Sequence, residues 1–178
     1  VAGEMWTDSQ GMQPHPVPTT MSEADIAHAI AEYAAAAKLA IEAGFDGIEL
    51  HAANGYLMDQ FLNTASNHRT DQWGGSVDNR IRFVVEVAKA SAAAIGAERI
   101  GMRISPYGVF NGMVPDAEMD VLYARLVAEL NAIGLVYIHI VDHSAMGAPE
   151  VSPALKAQIR ADFKGAYILS GGYDAERA

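Results

Sequence analysis

A fourfold alternation of helix-like and strand-like segments constrains the fold of this chain more than any other feature of its sequence. The first helix is predicted to begin at Ser22, because Ser22 and Asp25 have the spacing of a capping box. Apolar residues then recur every three or four positions as far as Gly44, which is well placed to end a helix. A short, mostly apolar segment, residues 45–50, follows directly and predicts a strand.

The same helix–strand unit recurs three more times along the chain. The patterns predict helices over residues 77–95, over residues 116–133 and from Ser152 onward, followed by strands at residues 99–104, 135–141 and 166–170. Asp116 is the predicted N-cap of the third helix, and Ser152 with Pro153 opens the fourth. Strands that alternate with helices in this way are parallel, in either a closed barrel or an open doubly wound sheet.

The positions of the polar residues favour the barrel. His51, Arg103 and the turn at residues 170–172 each fall at the end of a different predicted strand, as expected where loops converge at the carboxyl ends of barrel strands. No GxGxxG motif follows an early strand, which weakens the case for a dinucleotide-binding open sheet. We therefore predict an α/β fold of the TIM (β/α)8 barrel type. Eight strands take about 250 residues, so 178 residues with four predicted strands form only part of one.

The remaining segments complete the predicted organisation. Residues 1–20 are rich in Pro, Gly, Gln and Thr without an apolar period, and they predict a loop. Residues 21–178 are predicted to form the alternating units of a single partial barrel domain, with a further helix beginning after Asp174. Residues 57–62 are predicted to form a short helix inside the long loop after the first barrel strand.

Composition narrows the class of protein. With 51% hydrophobic residues the chain can bury a core, and no segment approaches the roughly 18 apolar residues of a membrane span. A formal net charge of -10 argues against nucleic acid or an anionic membrane surface as a partner. The absence of cysteine excludes disulfides, thiolate nucleophiles and cysteine-ligated clusters from this chain. No signal peptide opens the sequence, so a cytoplasmic location is the default expectation. The sequence leaves open whether the protein is a homo-oligomer.

A cluster of proton-carrying side chains follows the first predicted barrel strand. His51 and Asn54 are separated by two small alanines, so both can point into one pocket as hydrogen-bond donors, and Tyr56 adds a phenol. Such a site can polarise an oxygen and deliver a proton. The structural alternatives are a histidine that only makes hydrogen bonds and a tyrosine that packs at the rim of the fold.

Arg103 and the Ser170-Gly171-Gly172 turn point to an anion. An arginine within an apolar strand is costly unless it meets a negative charge, either a buried Asp or Glu or a ligand. Backbone N–H groups at a glycine turn before a helix can hold a phosphate, although Gly-Gly is equally common in plain turns.

A metal site is not predicted. His139, Asp142 and His143 are close in sequence, but the chain passes from strand to loop between them and no third strand supplies a ligand.

Three segments together resemble the old yellow enzyme family of FMN-dependent ene-reductases: HAANGYLMDQFL from His51, SNHRTDQWGGSVDNR from Ser66 and GMRISPYGVFNG from Gly101. The similarity extends from about Ser22 to the end of the chain. The resemblance implies a TIM barrel, present here as about strands four to seven, with FMN as cofactor and NAD(P)H as reductant. It also implies a small electron-poor alkene as substrate, such as an enone, enal, nitroalkene or maleimide.

The resemblance assigns roles to individual residues. His51 and Asn54 would donate hydrogen bonds to the carbonyl or nitro oxygen of the substrate, and Tyr56 would protonate its α carbon. Phe110 would line the substrate pocket. Arg103 would lie beside N1 and the C2 oxygen of FMN and stabilise its anionic reduced form. Ser170, Gly171 and Gly172 would hold the FMN phosphate.

Two other functions compete with this interpretation. One is a truncated, non-catalytic chain that keeps the motif without a complete cofactor site. The other is a barrel aldolase or isomerase that binds a substrate phosphate at the glycine turn. Imine chemistry in such an enzyme needs a lysine, and Lys38, Lys89, Lys156 and Lys164 are predicted to lie away from the strand ends.

Overall fold

The strands of the computed structural model, which describes residues 4–176, form two separate sheets. Strands β1 (Glu4–Thr7) and β2 (Gly11–Pro14) make an antiparallel hairpin. The second sheet is parallel, has the strand order β3-β4-β5-β6, and consists of β3 (Ile48–Ala52), β4 (Ile100–Ile104), β5 (Tyr137–Val141) and β6 (Ala166–Ser170). Strands that follow one another in sequence are therefore neighbours in space, as in the wall of a barrel.

Helices cover one face of the parallel sheet. They are α1 (Glu23–Glu42), α2 (Leu57–Leu62), α3 (Val77–Ile95), α4 (Met119–Ile133) and α5 (Pro153–Asp162). Helix α1 packs on α3, α3 on α4 and α4 on α5, so the crossover helices lie side by side. The predicted alternation of helices and parallel strands is confirmed. Within the described residues, no helix is both long and apolar enough to cross a membrane.

The helix boundaries follow the capping chemistry at two of three predicted positions. The Ser22 hydroxyl accepts a hydrogen bond from the Asp25 N–H at 3.2 Å, and the Asp25 carboxylate accepts one from the Ser22 N–H at 2.8 Å. The Ser152 hydroxyl caps α5 by accepting the Leu155 N–H at 3.2 Å. Asp116 is not the N-cap of α4, which begins after Glu118, so that prediction is wrong. The Asp116 carboxylate instead lies 3.3 Å from the buried guanidinium of Arg80.

The first barrel strand begins three residues later than predicted. Phe45 is 66% exposed, and a Cβ at Gly47 would lie only 2.5 Å from the carbonyl oxygen of Arg99. The chain therefore approaches the neighbouring backbone at Gly47 before the strand can start. As a result His51 lies within β3 and is paired in register with Arg103 of β4.

The amino-terminal prediction was also wrong in part, because residues 4–14 form the β1–β2 hairpin instead of a loop. The hairpin is exposed, with Trp6 at 68% accessibility, and its short strands have no buried face that would give an apolar alternation. At the other end, residues 175–176 form a turn, and the rest of the helix expected after Asp174 lies outside the described residues.

The two faces of the parallel sheet differ in composition. The face under the helices, here called the covered face, is apolar and buried, and it consists of Leu50, Ala52, Met102, Ile104, Ile138 and Ile140. The opposite face, here called the open face, corresponds to the interior of a closed barrel. It carries Glu49, His51, Arg103, Tyr137, His139 and Ile168, all at least partly exposed. Of the predicted site residues, His51 and Arg103 therefore lie on the open face.

Candidate active site

A row of three nitrogen-bearing side chains crosses the open face. The strand register places His51 beside Arg103 and Arg103 beside His139. The two ring nitrogens of His139 lie 2.9 Å from a Glu49 carboxylate oxygen and 2.8 Å from the Ser170 hydroxyl. Because residues in register point to the same face of a sheet, these side chains lie together on the open face.

The structure brings His51 and Tyr56 together, with ring centroids 5.2 Å apart. Tyr56 is 57% exposed and stands at the N-cap of α2 without a capping hydrogen bond from its side chain. Asn54 occupies the turn between them with a φ of 60°, and its side-chain oxygen is buried without a hydrogen-bond partner in the described part of the chain. Their catalytic and substrate-binding roles remain predictions.

The local environment favours a neutral His51. Burial lowers the pKa of this imidazole, and the positive charge of Arg103 lowers it further, against a weaker opposing effect of Glu49. A neutral imidazole still carries one N–H that can donate to an oxygen.

Arg103 has no carboxylate partner within ion-pairing distance among residues 4–176. Its Nε is buried and makes no hydrogen bond in the described chain. The structural alternative, an ion pair with Asp or Glu, is therefore not what the structure contains. A fixed cation on the open face with an unused buried donor suits an anionic ligand.

The turn after β6 is shaped for close backbone approach. Gly171 has a φ of +106°, and a Cβ at this position would collide with the carbonyl oxygen of Asp142. Gly172 follows with a φ of 68°. Residues with side chains rarely adopt such angles, so glycine is required here, and the lack of side chains allows another group to approach the backbone closely. Cofactor binding by Arg103, Ser170, Gly171 and Gly172 remains a prediction.

An ion pair between Asp142 and Lys156 lies next to that turn. The Asp142 carboxylate is fully buried directly after β5 and lies 2.7 Å from the Lys156 ammonium. Burial alone would raise the pKa of Asp142, but hydrogen bonds from Lys156 and Ser144 hold it below its usual value. Lys156 therefore reaches the carboxyl ends of the strands, contrary to the expectation from sequence, although its amine is engaged in a salt bridge.

Phe110 packs against His143, which was not among the site residues predicted from the sequence. The rings of Phe110 and His143 are 4.7 Å apart, and Phe110 is 39% exposed. The adjacent Asn111 donates a hydrogen bond of 2.7 Å to the backbone carbonyl of Asn54, which ties the Phe110 loop to the turn after β3. Burial and then the charge of Arg103 lower the pKa of His143. Its position one residue after Asp142, at the end of a buried strand, was the signal for this placement.

The long loop after α2 is braced by its own side chains. Arg69 makes two hydrogen bonds to the Asp71 carboxylate, at 3.0 and 2.6 Å, and a third to the carbonyl oxygen of Met21. The last of these bonds ties the loop to the residues that precede α1. Within the described part of the chain, no group of three or more His, Asp or Glu side chains is arranged to hold a metal ion.

Fold and site together define a class of protein, an α/β protein with the strand order of a barrel wall and polar side chains toward the carboxyl ends of its strands. The sequence profile of the NADH:flavin oxidoreductase / NADH oxidase family matches residues 4–178, and the chain belongs to this family, as its motifs indicated. The membership confirms, at the level of the family, the predicted pairing of FMN with a nicotinamide reductant.

Two reductases are among the proteins similar to this chain. A chanoclavine-I aldehyde reductase, fgaOx3, of Penicillium roqueforti (strain FM164) is 46% identical over 167 residues, covering 92% of this chain and 45% of the relative. A probable flavin mononucleotide-dependent alkene reductase of Leishmania infantum is 43% identical, covering 93% of this chain and 44% of the relative.

Solved structures show the same relationship. The N189A mutant of morphinone reductase in complex with tetrahydroNAD superposes with a TM-score of 0.89 at 36% identity, covering 99% of this chain and 48% of that one. The chain thus spans about half the length of the relatives it matches, which agrees with the predicted partial TIM barrel.

Proposed function

We propose that the full-length protein containing this chain is an FMN-dependent oxidoreductase. It would use NAD(P)H to reduce the activated C=C bond of α,β-unsaturated carbonyl or nitro compounds. The observation that carries the proposal is the pairing of His51 with Tyr56, ring centroids 5.2 Å apart, beside an Arg103 with no carboxylate partner in the described chain. Family membership and the similarity to the Leishmania infantum alkene reductase support it.

His51 and Asn54 bind and polarise the substrate oxygen. The neutral imidazole favoured by burial and by Arg103 donates through one N–H, and the Asn54 amide supplies a second donor. Donors fixed in place stabilise the negative charge that develops on this oxygen, without either residue changing its ionisation. The substrate β carbon becomes electrophilic as a result.

Tyr56 supplies the proton. Its hydroxyl is not used to cap α2, and its exposed ring extends from the turn beside His51. A phenol in this place can protonate the α carbon of a substrate whose oxygen is held by His51 and Asn54.

The residues that would hold the cofactor lie next to these donors. Arg103 would balance the negative charge of the ring system, and Ser170, Gly171 and Gly172 would bind the phosphate through their backbone. When bound, FMN supplies the hydride transfer, first from NAD(P)H and then to the alkene β carbon. The substrate and nicotinamide would use the same part of the open face in turn.

The donor roles are tested by changing both donors in the full-length protein. His51→Ala with Asn54→Ala should abolish binding of phenolic ligands while flavin stays bound, because each donor to an oxyanion contributes about 2.7–4 kcal/mol in comparable sites. Phenol titration, followed by the long-wavelength absorbance of the flavin, measures the affinity. His28→Ala is the matched control, since His28 is a largely exposed histidine on α1. Unchanged phenol affinity in the double variant would remove both residues from the site.

The proton-donor role is tested by Tyr56→Phe. Reduction of the flavin by NAD(P)H should keep its rate, and the reoxidation of reduced flavin by an enone should slow by roughly 10²–10⁴-fold, because protonation belongs to the second half-reaction. Stopped-flow absorbance resolves the two half-reactions. Equal slowing of both would show that Tyr56 positions bound molecules and does not transfer the proton.

A further inference from the structure

Asp59 on α2 is a buried carboxylate that the proposed reaction does not use. It is 3% exposed, and no Lys, Arg or His of the described chain forms an ion pair with it. Its partners are neutral donors: the Gly55 N–H at 2.8 Å, the Ser105 hydroxyl at 3.3 Å and the Tyr123 hydroxyl at 3.3 Å. Burial raises the pKa of Asp59 to about 6, against the lowering effect of these hydrogen bonds. Burying a carboxylate without a charged partner is costly, so the position of Asp59 requires an explanation.

The hydrogen bonds of Asp59 converge on the turn that carries the predicted catalytic side chains. One oxygen of the carboxylate accepts both the Gly55 N–H and the Ser105 hydroxyl. The Ser105 oxygen in turn accepts the N–H of Asn54 at 2.9 Å. Two consecutive backbone N–H groups, those of Asn54 and Gly55, are therefore held by the Asp59–Ser105 pair.

This turn has a backbone geometry that must be held. Asn54 and Gly55 have φ angles of 60° and 71°, and a left-handed conformation is unfavourable for a residue with a side chain such as Asn54. A Cβ at Gly55 would lie 2.6 Å from the carbonyl oxygen of Phe110, so the turn is also pressed against the Phe110 loop. Asn111 and Gln60 bind the two carbonyl oxygens of the turn, and the Asp59–Ser105 pair provides the partners for its two N–H groups.

An ordinary cap in the same chain shows what is unusual about Asp59. Asp25 occupies the third position of α1, as Asp59 does of α2, and both carboxylates reach back to an N–H before their helix. Asp25 is exposed and binds the N-cap residue, which is a common helix-capping arrangement. Asp59 is buried and binds one residue further back, at Gly55, between Asn54 and Tyr56.

We propose that Asp59, acting with Ser105, is a positioning residue that fixes the Asn54–Tyr56 turn so that both side chains face the substrate. The proposal rests on the proposed function for the role of that turn. It places Asp59 outside contact with substrate or cofactor. Tyr123 belongs to α4 and holds the other oxygen of the carboxylate, so it anchors Asp59 to the helix layer and not to the turn.

Three variants of the full-length, flavin-loaded protein separate positioning from stability. Ser105→Ala removes the partner of the Asn54 N–H with a minimal change in volume, and it should weaken phenol binding roughly tenfold while flavin occupancy is unchanged. Asp59→Asn keeps an acceptor for the Gly55 N–H and should bind phenol within about threefold of wild type. Tyr123→Phe should lower the melting temperature without changing phenol affinity. Asp25→Asn is the control at the equivalent helix position.

Amide hydrogen exchange provides a readout that does not depend on catalysis. Peptides spanning residues 51–56 should exchange faster in Ser105→Ala than in wild type, and Asp25→Asn should affect only peptides near residue 22. Wild-type exchange and wild-type phenol affinity in Ser105→Ala would overturn the proposal. If the wild-type protein binds no phenol and reduces no alkene, the proposed function fails, and the exchange data alone then decide whether Asp59 and Ser105 hold the turn.

Discussion

The covered and open faces of the parallel sheet are built from alternating residues of the same strands, yet they meet different requirements. On β4, Met102 and Ile104 are fully buried against the helices, whereas Arg103 between them points to the open face with a buried donor and no partner in the described chain. The covered face stabilises the fold through apolar contact. The open face leaves polar groups ready for ligands, and its stability depends on what else fills the barrel interior.

The largest expected effect comes from leaving the open face unfilled. Expressed alone, the 178-residue chain should be poorly folded and free of flavin, because β3 and β6 each leave an unpaired edge in the described sheet and parallel sheets are stable mainly when both faces are buried. Analytical ultracentrifugation should show aggregation or self-association, and a titration should show weak flavin binding. A monodisperse, cooperatively melting monomer that binds FMN tightly would contradict the division between a structural and a functional face.

The second expected effect is that substitutions at two adjacent residues of β4 change different properties of the full-length protein. Met102→Ala should lower the free energy of unfolding by about 2–5 kcal/mol through loss of buried contact, and leave flavin affinity unchanged at temperatures where the protein is folded. Arg103→Ala should instead reduce flavin affinity at least roughly tenfold. It should lower the stability of the flavin-free protein less than Met102→Ala does.

Urea denaturation of the flavin-free proteins and flavin titration measure both effects for each variant. If Arg103→Ala destabilised the flavin-free protein as much as Met102→Ala does, the open face would be part of the structural core, and the comparison between the faces would fail.

The sequence predicted the covered face well because local chemistry determines it. Helix α3, Val77–Ile95, and strand β6, Ala166–Ser170, have the predicted bounds, since apolar period and flanking Gly or Ser mark both. Ser22 and Ser152 cap their helices for the same reason. Interactions between neighbours in sequence can be read from sequence.

The features that the sequence did not reveal depend on residues far apart in the chain. Asp116 lies two residues before the N-cap of α4, where one carboxylate oxygen accepts the Glu118 N–H and the other binds Arg80, 36 positions earlier. Asp59 resembles a polar residue on the surface of a short helix, and the approach of Ser105, 46 positions later, and of Tyr123, 64 positions later, makes it a buried acceptor. The β1–β2 hairpin was missed because it buries little and so has no apolar pattern. Resemblance to a family indicated the site residues, and the structure then supplied the groups that hold them.

The smallest expected effect concerns Asp59, where the two sides of the sheet meet, because its carboxylate binds Ser105 at the end of β4 and Tyr123 of the helix layer. Burial raises the pKa of Asp59 to about 6 from the unfolded value of 3.8, so folding favours the protonated carboxyl. This contribution to stability is complete below about pH 4 and is lost as the pH rises through about 6.

Asp59→Asn removes the titrating carboxyl and with it this pH dependence. Relative to wild type, the variant should therefore gain stability by roughly 1–3 kcal/mol between pH 4.5 and 7.5. Carboxylates with lowered pKa values, such as Asp142, give the opposite trend but are common to both proteins and cancel in the difference. Urea denaturation of the flavin-loaded, full-length proteins at several pH values measures that difference. If the difference in free energy of unfolding between the two proteins did not change over this pH range, water or another donor would be solvating the Asp59 carboxylate. The boundary between the two faces would then be more polar than the structure shows.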